Sequence, residues 1–190
     1  YEILIGLVGS EMCIRDSLRP LADLKARYGV FGVPGNHEYY SGYEEWMEFL
    51  PTLGIRMLLN EHAPAGGEAV VLAGVTDPVA GIMGKEEPDI SKALKDAPEK
   101  GVRILVSHQP RLAREAAAHG VDLQVSGHTH GGMIAGVDRL VARFNEGFVS
   151  GLYTVGNMKL YVSNGAGIWN GFPIRIGVPS EIVLIRLRKE

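Results

Sequence analysis

The segment SGHTHGG at residues 126–132 contains two histidines, His128 and His130, one residue apart and flanked by glycines. On an extended backbone the side chains of residues i and i+2 point to the same side, so we expect both imidazoles to face one small volume. Glycine lets the backbone come close to a ligand, and imidazole commonly binds first-row transition metals. The segment therefore predicts a metal site, with two unrelated surface histidines as the alternative.

Two earlier segments repeat this construction. An apolar run at residues 30–33 predicts a short buried strand and leads into a loop with Asn36 and His37, while a second run at 102–106 leads to His108. A third run at 121–125 leads to His128. Catalytic groups often lie on loops at the carboxyl ends of strands, because the strands hold such loops in place. We therefore expect the three loops to meet at one site.

Composition limits the class of protein. The chain has 190 residues, a hydrophobic content of 46%, a net charge of -3 and a single cysteine, Cys13. These values are typical of one globular domain without an internal disulfide, and they give no basic field of the kind that nucleic-acid-binding proteins carry. No apolar window is long enough to span a bilayer. We expect one domain, at residues 18–190.

The two ends of the chain give further expectations. Residues 1–17 lack a helical or strand period and resemble translated adapter sequence, which predicts a non-native or disordered leader; a native first strand is the alternative. Apolar residues from Leu18 to Tyr28 follow a helical period, and Gly29 supplies a stop. We expect a second helix to begin at Ser41, and alternation from Glu181 to Leu187 predicts a final strand.

The order of the histidine motifs resembles a known superfamily. Gly35-Asn36-His37-Glu38, then Ser107-His108, then Gly127-His128-Thr129-His130 are similar to the motifs of the calcineurin-like metallophosphoesterases. The tail, with Gly-Leu-Tyr, Leu-Tyr-Val-Ser and Pro-Ser-Glu-Ile, resembles the bacterial membrane-associated phosphodiesterase branch. The resemblance covers residues 18–187.

This resemblance implies a mixed α/β (α+β) fold, namely an αββα sandwich, around two divalent ions, Mn, Fe or Zn, that share a bridging hydroxide. It implies that Asn36, His108 and His128 bind the second ion and that His130 binds the first. His37 would lie beside the scissile phosphate and either protonate the leaving alkoxide or stabilise its charge. A developing negative charge on phosphorus needs cations and a proton donor around it, which agrees with these roles.

The departures from the superfamily pattern are also informative. Neither an Asp-x-His pair nor a Gly-Asp-x-x-Asp motif precedes Leu18, and Met133 stands where the resemblance predicts Gln. We therefore expect a carboxyl-terminal portion of a longer enzyme, with a sandwich that is incomplete at its amino-terminal end and impaired activity. The alternative is a non-catalytic metal-binding or interaction domain on the same scaffold.

The expected substrate is a small-molecule or lipid-linked phosphoester, and nucleic acid is not expected as a substrate. The resemblance allows the parent protein to associate with a membrane through a segment upstream, whereas this portion alone is expected to be soluble. Asp77 is either a turn residue or an acidic residue at the pocket, and Glu38 either supports the metal loop or faces solvent. Arg143 and Arg175 are weaker candidates for contacts with phosphate.

Overall fold

The computed structural model describes residues 18–65, 69–167 and 174–188, and the predicted leader at 1–17 lies outside them. The described chain forms two β-sheets with helices packed against them, which confirms the mixed α/β class. The strands are β1 (Val30–Gly32), β2 (Ile55–Met57), β3 (Glu61–Pro64), β4 (Val70–Gly74), β5 (Val102–Val106), β6 (Leu123–Ser126), β7 (Gly151–Val155) and β8 (Met158–Val162). The α-helices are α1 (Asn36–Tyr40), α2 (Tyr43–Thr52), α3 (Ile90–Ala93), α4 (Ala113–Ala118) and α5 (Asp138–Phe144).

The larger sheet has the strand order β3-β4-β5-β6-β8-β7. Strands β4, β5, β6 and β8 run parallel, and antiparallel strands β3 and β7 form the two edges. Leu105 and Leu160 are fully buried in its core, against alanines of α3 and α4. Because the four parallel strands end at the same edge, the loops that follow them converge there.

The smaller sheet consists of β1 and β2, which pair in parallel with Val30 opposite Ile55. Helix α2 covers this sheet with Leu50, and Leu18 and Leu53 complete a separate apolar cluster around Ile55. Helices thus pack against both sheets, as in the predicted αββα arrangement. Helix α1 follows β1 after a short connection and carries Asn36 and His37 toward the larger sheet.

Gly74, the last residue of β4, packs against residues that directly follow β1 and β2 of the smaller sheet. A Cβ atom there would lie 2.4 Å from Leu58 Cβ and 2.7 Å from Val33 Cγ1. Those separations are far below van der Waals contact, so only glycine fits. Gly74 therefore sets how closely β4 can approach the end of the smaller sheet.

A buried polar pair joins the loops that follow β4 and β5. The carboxylate of Asp77 accepts hydrogen bonds from Gln109 Nε2 at 2.9 and 3.1 Å and from the Val79 backbone N–H at 2.9 Å. The Asp77 side chain is fully buried, and that burial raises its pKa to about 6 against the opposing effect of these hydrogen bonds. The pair fixes Gln109 directly after His108.

Three expectations about regular structure were wrong. The period from Leu18 to Tyr28 gives only a 3₁₀ turn at Arg19–Asp23, and both Leu24 and Tyr28 are half exposed. Ser41 does not cap the second helix, because its hydroxyl donates to the His37 carbonyl of the short helix α1 at 2.7 Å, and α2 begins after Gly42.

The alternating segment at 181–188 is not a strand in the described structure. Its apolar side chains are open to solvent, with Ile182 94% and Leu184 78% exposed. Alternation predicts which side chains a strand would bury, but a strand also needs a hydrogen-bonding neighbour, and no described strand pairs with this segment.

No helix in the described part of the chain is both long and apolar enough to cross a bilayer.

Replacing Gly74 with alanine should lower the free energy of unfolding by about 2–3 kcal/mol, because the added methyl group overpacks the contact with Leu58 and Val33. Gly127→Ala is the matched control, since nothing lies within 4 Å of a Cβ built at Gly127. Urea unfolding followed by circular dichroism measures both variants. Equal losses in the two variants would contradict the packing argument.

Asp77→Asn should change how stability depends on pH. Because the folded-state pKa of about 6 exceeds the ordinary value of 3.8, the folded protein binds this proton more tightly, and its stability falls as the pH rises through that window. The wild type should therefore lose on the order of 3 kcal/mol more than the variant between pH 4 and pH 7. Urea unfolding at four pH values tests this, and parallel profiles would refute it.

Candidate metal site

The backbone after β6 is not extended, contrary to the expectation from the sequence. His128 has φ 70° and His130 has φ 50°, while Thr129 between them is in the right-handed helical region. Left-handed conformations are uncommon for residues other than glycine and often mark functional sites. The Gly127 N–H donates to the His108 carbonyl at 3.0 Å, and Thr129 Oγ1 donates to the Val149 carbonyl at 2.5 Å. These bonds hold the histidine loop in its strained form.

Three side-chain atoms from three separate segments, the start of α1 and the loops after β5 and β6, lie close together. Asn36 Oδ1 lies 2.9 Å from His108 Nε2 and 3.2 Å from His128 Nδ1, and the two ring nitrogens are 3.1 Å apart. Ligands on one face of an octahedron with metal–ligand bonds of about 2.1 Å are separated by about 3 Å. The spacing of this triad, Asn36, His108 and His128, is therefore that of three ligands around a single cation.

Hydrogen bonds cannot form between all three pairs of triad atoms at once. A neutral imidazole carries one N–H and one lone pair, and the amide oxygen only accepts. If both ring nitrogens carry a proton and donate to Asn36 Oδ1, the two N–H groups lie next to each other, with their nitrogens 3.1 Å apart. If only one ring nitrogen carries a proton, the lone pair of the other lies next to the lone pairs of the amide oxygen. A cation that accepts all three lone pairs removes this conflict, so the donor set fits a borderline divalent metal.

The surroundings keep His108 in the form that binds metal. Burial, followed by the charge of His128, holds the pKa of His108 well below its usual range, so the ring is neutral near pH 7. A Cβ at Gly35 would lie 2.9 Å from three atoms of the same ring, so the absence of a side chain there makes room for it. The Gly35 N–H donates to Glu38 Oε2 at 2.7 Å, and burial raises the pKa of that carboxyl.

The two remaining predicted residues lie beside the triad. His37 and His130 line a cavity of about 100 Å³ together with His108 and His128. His130 also contacts Arg175, whose Nη1 donates to the His130 carbonyl at 3.2 Å and whose Nη2 lies 3.4 Å from His130 Nδ1. The structure thus brings all five predicted site residues together, with His37 and His130 outside the triad.

Arg175 has a structural role in addition to its contact with His130. Its guanidinium donates to the carbonyls of Asn164, at 2.6 Å, and Gly167, which belong to the segment after β8. The same side chain therefore ties the tail of the chain to the histidine loop. Its N–H groups are engaged with these carbonyls, which disfavours the interpretation of Arg175 as a phosphate contact.

Sequence reasoning missed some of the residues that support the site. Gln109 was not singled out, although it follows a predicted metal ligand directly and is buried. Asp77 proves to be both a turn residue, bonded to the Val79 N–H, and the partner of Gln109. Glu38 supports the Gly35 turn, as one of its two readings predicted.

Within residues 18–65, 69–167 and 174–188, no group of three or more His, Cys, Asp or Glu side chains is arranged to hold a metal ion. The triad contains only two histidines, and its third donor is an amide oxygen. All three ligands are neutral, so they contribute no negative charge to offset that of a divalent cation.

Comparison with known proteins agrees with this geometry. Residues 10–132 match the model of the calcineurin-like phosphoesterase family. An uncharacterized metallophosphoesterase of Helicobacter pylori is 41% identical over 98% of this chain and 51% of its own length. A transmembrane protein with metallophosphoesterase domain from Danio rerio is 36% identical over 93% of this chain and 42% of its own length.

Among solved structures, the sulfate thiohydrolase SoxB of Thermus thermophilus aligns with 70% of this chain and 27% of its own, at 19% identity and a TM-score of 0.49. The chain spans about half the length of the curated Helicobacter pylori relatives that it matches. Members of the matched family generally use divalent metals. The extent of the family match and the identity to these relatives show that the chain belongs to the calcineurin-like phosphoesterase family of hydrolases.

Proposed function

We propose that this domain hydrolyses phosphoric mono- or diesters at a dinuclear metal centre. The observation that carries the proposal is the triad, in which Asn36 Oδ1, His108 Nε2 and His128 Nδ1 lie 2.9–3.2 Å from one another. In this proposal the triad holds one divalent cation, Mn, Fe or Zn, and His130 contributes to the site of a second. Bound cations would supply positive charge to the phosphate oxygens and lower the pKa of an attacking water.

His37 is proposed to act on the leaving group. It is the second residue of α1, and it lines the same small cavity as the triad and His130. Its ring meets the edge of Tyr40 at a centroid distance of 5.8 Å, which helps to orient it. From this position the protonated imidazole would give its proton to the departing alkoxide, so that no free alkoxide has to form.

The second candidate is a non-catalytic metal-binding domain on the same scaffold. What favours it is the ligand set in the described residues, where three neutral donors surround one position and the second position has His130. Such a site can bind a cation weakly without turning over an ester. The two candidates therefore agree about metal binding and differ about hydrolysis.

Membrane association of the whole protein is likewise a proposal. It is supported by the relatives from Danio rerio and Bos taurus, both named as transmembrane proteins with a metallophosphoesterase domain. A substrate that is itself linked to a lipid would agree with such a location.

Removing any one member of the triad should weaken manganese binding at least tenfold, because losing even an outer partner of a metal ligand typically costs 10- to 100-fold in affinity. Asn36→Ala, His108→Ala and His128→Ala test this by isothermal titration calorimetry. His119→Ala, at the exposed end of α4, is the control and should bind as the wild type does. Wild-type affinity in all three triad variants would reject the assignment.

His37→Gln should slow hydrolysis most for esters with a poor leaving group. With manganese present we expect kcat for diphenyl phosphate to fall on the order of 100-fold, the usual contribution of a general acid. The loss should be much smaller for bis-p-nitrophenyl phosphate, because nitrophenolate departs without protonation.

Equal losses for the two esters would argue against a proton-donor role for His37. Wild-type protein that binds manganese but hydrolyses neither ester above the rate of the metal alone would favour the non-catalytic candidate instead.

A further inference from the structure

A second, much larger cavity opens beside the candidate metal site. Its volume is about 890 Å³, within the usual range for pockets that bind small ligands. One end is polar and is formed by Asn36, His37, His128 and His130. The remaining wall is mainly apolar and includes Met133, Ile134, Val137, Leu140, Val141 and Phe144.

Helix α5 supplies most of this apolar wall. Val137, just before the helix, and Leu140, Val141 and Phe144 within it follow the i, i+3, i+4, i+7 spacing that places side chains on one helical face. Leu140 is 55% exposed and Phe144 is 74% exposed, so the face is not covered within the described part of the chain. A contiguous exposed apolar surface of this kind commonly marks a binding site.

Met133 adds to the apolar character where the histidine loop meets the helix. It stands where the superfamily resemblance predicts a Gln, it is 8% exposed, and it has φ 62°. A thioether at this position cannot donate a hydrogen bond to a polar ligand, whereas the amide of Gln can. The cavity wall next to the polar end is therefore suited to contact a hydrocarbon chain.

Two arginines line a neighbouring cavity and not the apolar one. A cavity of about 540 Å³ is lined by Arg111 and Arg143 and shares Asn36, His128 and Phe144 with the apolar cavity. The two arginines therefore line a cavity that does not include the apolar face of α5 beyond Phe144, and both cavities are lined by Asn36 and His128 of the triad. A hydrocarbon group attached to a phosphate at the triad would avoid the arginines and enter the apolar cavity.

We propose that the apolar cavity binds the aliphatic chain of an amphiphilic phosphoester whose phosphate lies at the triad. This inference rests on the proposed phosphoesterase function and selects the lipid-linked class from the two substrate classes that the sequence left open. Continuity with the triad favours a substrate chain over a partner protein, because the occupant must leave room for a phosphate at the polar end.

The test measures binding of n-alkyl phosphates by isothermal titration calorimetry in the presence of manganese. The probes are methyl, butyl and octyl phosphate, each below its micelle concentration. Affinity should rise with chain length by about fourfold per buried methylene, until the cavity is full. In the double variant Leu140→Ser/Phe144→Ser the preference for octyl over methyl phosphate should fall at least tenfold.

Leu152→Ser is the matched control, because Leu152 is 65% exposed on β7 and does not line the cavity. This variant should keep the wild-type preference. Affinity that does not depend on chain length, or a preference that survives the double variant, would overturn the proposal. A wild-type dimer that the double variant dissociates in analytical ultracentrifugation would overturn it too, since the face would then be an interface between copies.

Turnover of bis-p-nitrophenyl phosphate, measured on the same samples, distinguishes failure of the aliphatic-substrate proposal from failure of the phosphoesterase proposal. Hydrolysis without a chain-length effect would reject only the aliphatic substrate. A chain-length effect without hydrolysis would reject the phosphoesterase function and leave a cavity that binds alkyl phosphates.

Discussion

The convergence of three lone pairs from Asn36, His108 and His128 is the constraint on which the rest of this structure depends. The three atoms lie about 3 Å apart, and whichever imidazole tautomers are chosen, at least one of the three close pairs cannot form a hydrogen bond. The fold holds the three atoms at this spacing although hydrogen bonds cannot pair all of them at once. A cation bound by all three atoms would stabilise the folded protein, because metal binding and folding are linked.

The fold holds the triad by bringing three chain segments to one place. His108 and His128 follow adjacent parallel strands, and a backbone hydrogen bond from Gly127 to the His108 carbonyl joins their loops. Asn36 begins helix α1, which follows β1 of the smaller sheet, so its position depends on the contact between the two sheets at Gly74. The buried Asp77–Gln109 pair holds the loop next to His108. Stability of the scaffold and affinity for metal are therefore set partly by the same residues.

Much of this arrangement could be predicted from the sequence, because continuous apolar runs and the residues that follow them carry strong signals. The run at 102–106 became β5 with the predicted bounds, and the loops after three strands met as expected. Local backbone geometry could not be predicted in the same way. His128 and His130 have left-handed conformations in a loop that is held by hydrogen bonds to distant residues, such as that of Thr129 to Val149, and the spacing of two histidines does not reveal these contacts.

Other failures have the same physical origin. The alternation at 181–188 describes one strand, whereas a sheet also needs a neighbour. The apolar face of α5 was present in the sequence as a helical spacing of Leu140, Val141 and Phe144, but its meaning depends on its position next to the triad. A periodic pattern predicts which side chains of a segment lie on its apolar face, but the neighbours of that face depend on the tertiary structure.

Anomalous diffraction from a crystal of this chain grown with manganese tests the central claim most directly. We predict a manganese peak about 2.1 Å from Asn36 Oδ1, His108 Nε2 and His128 Nδ1, with those three atoms still close to 3 Å apart. A manganese peak elsewhere, or a triad that remains metal-free while manganese binds to other residues, would contradict it.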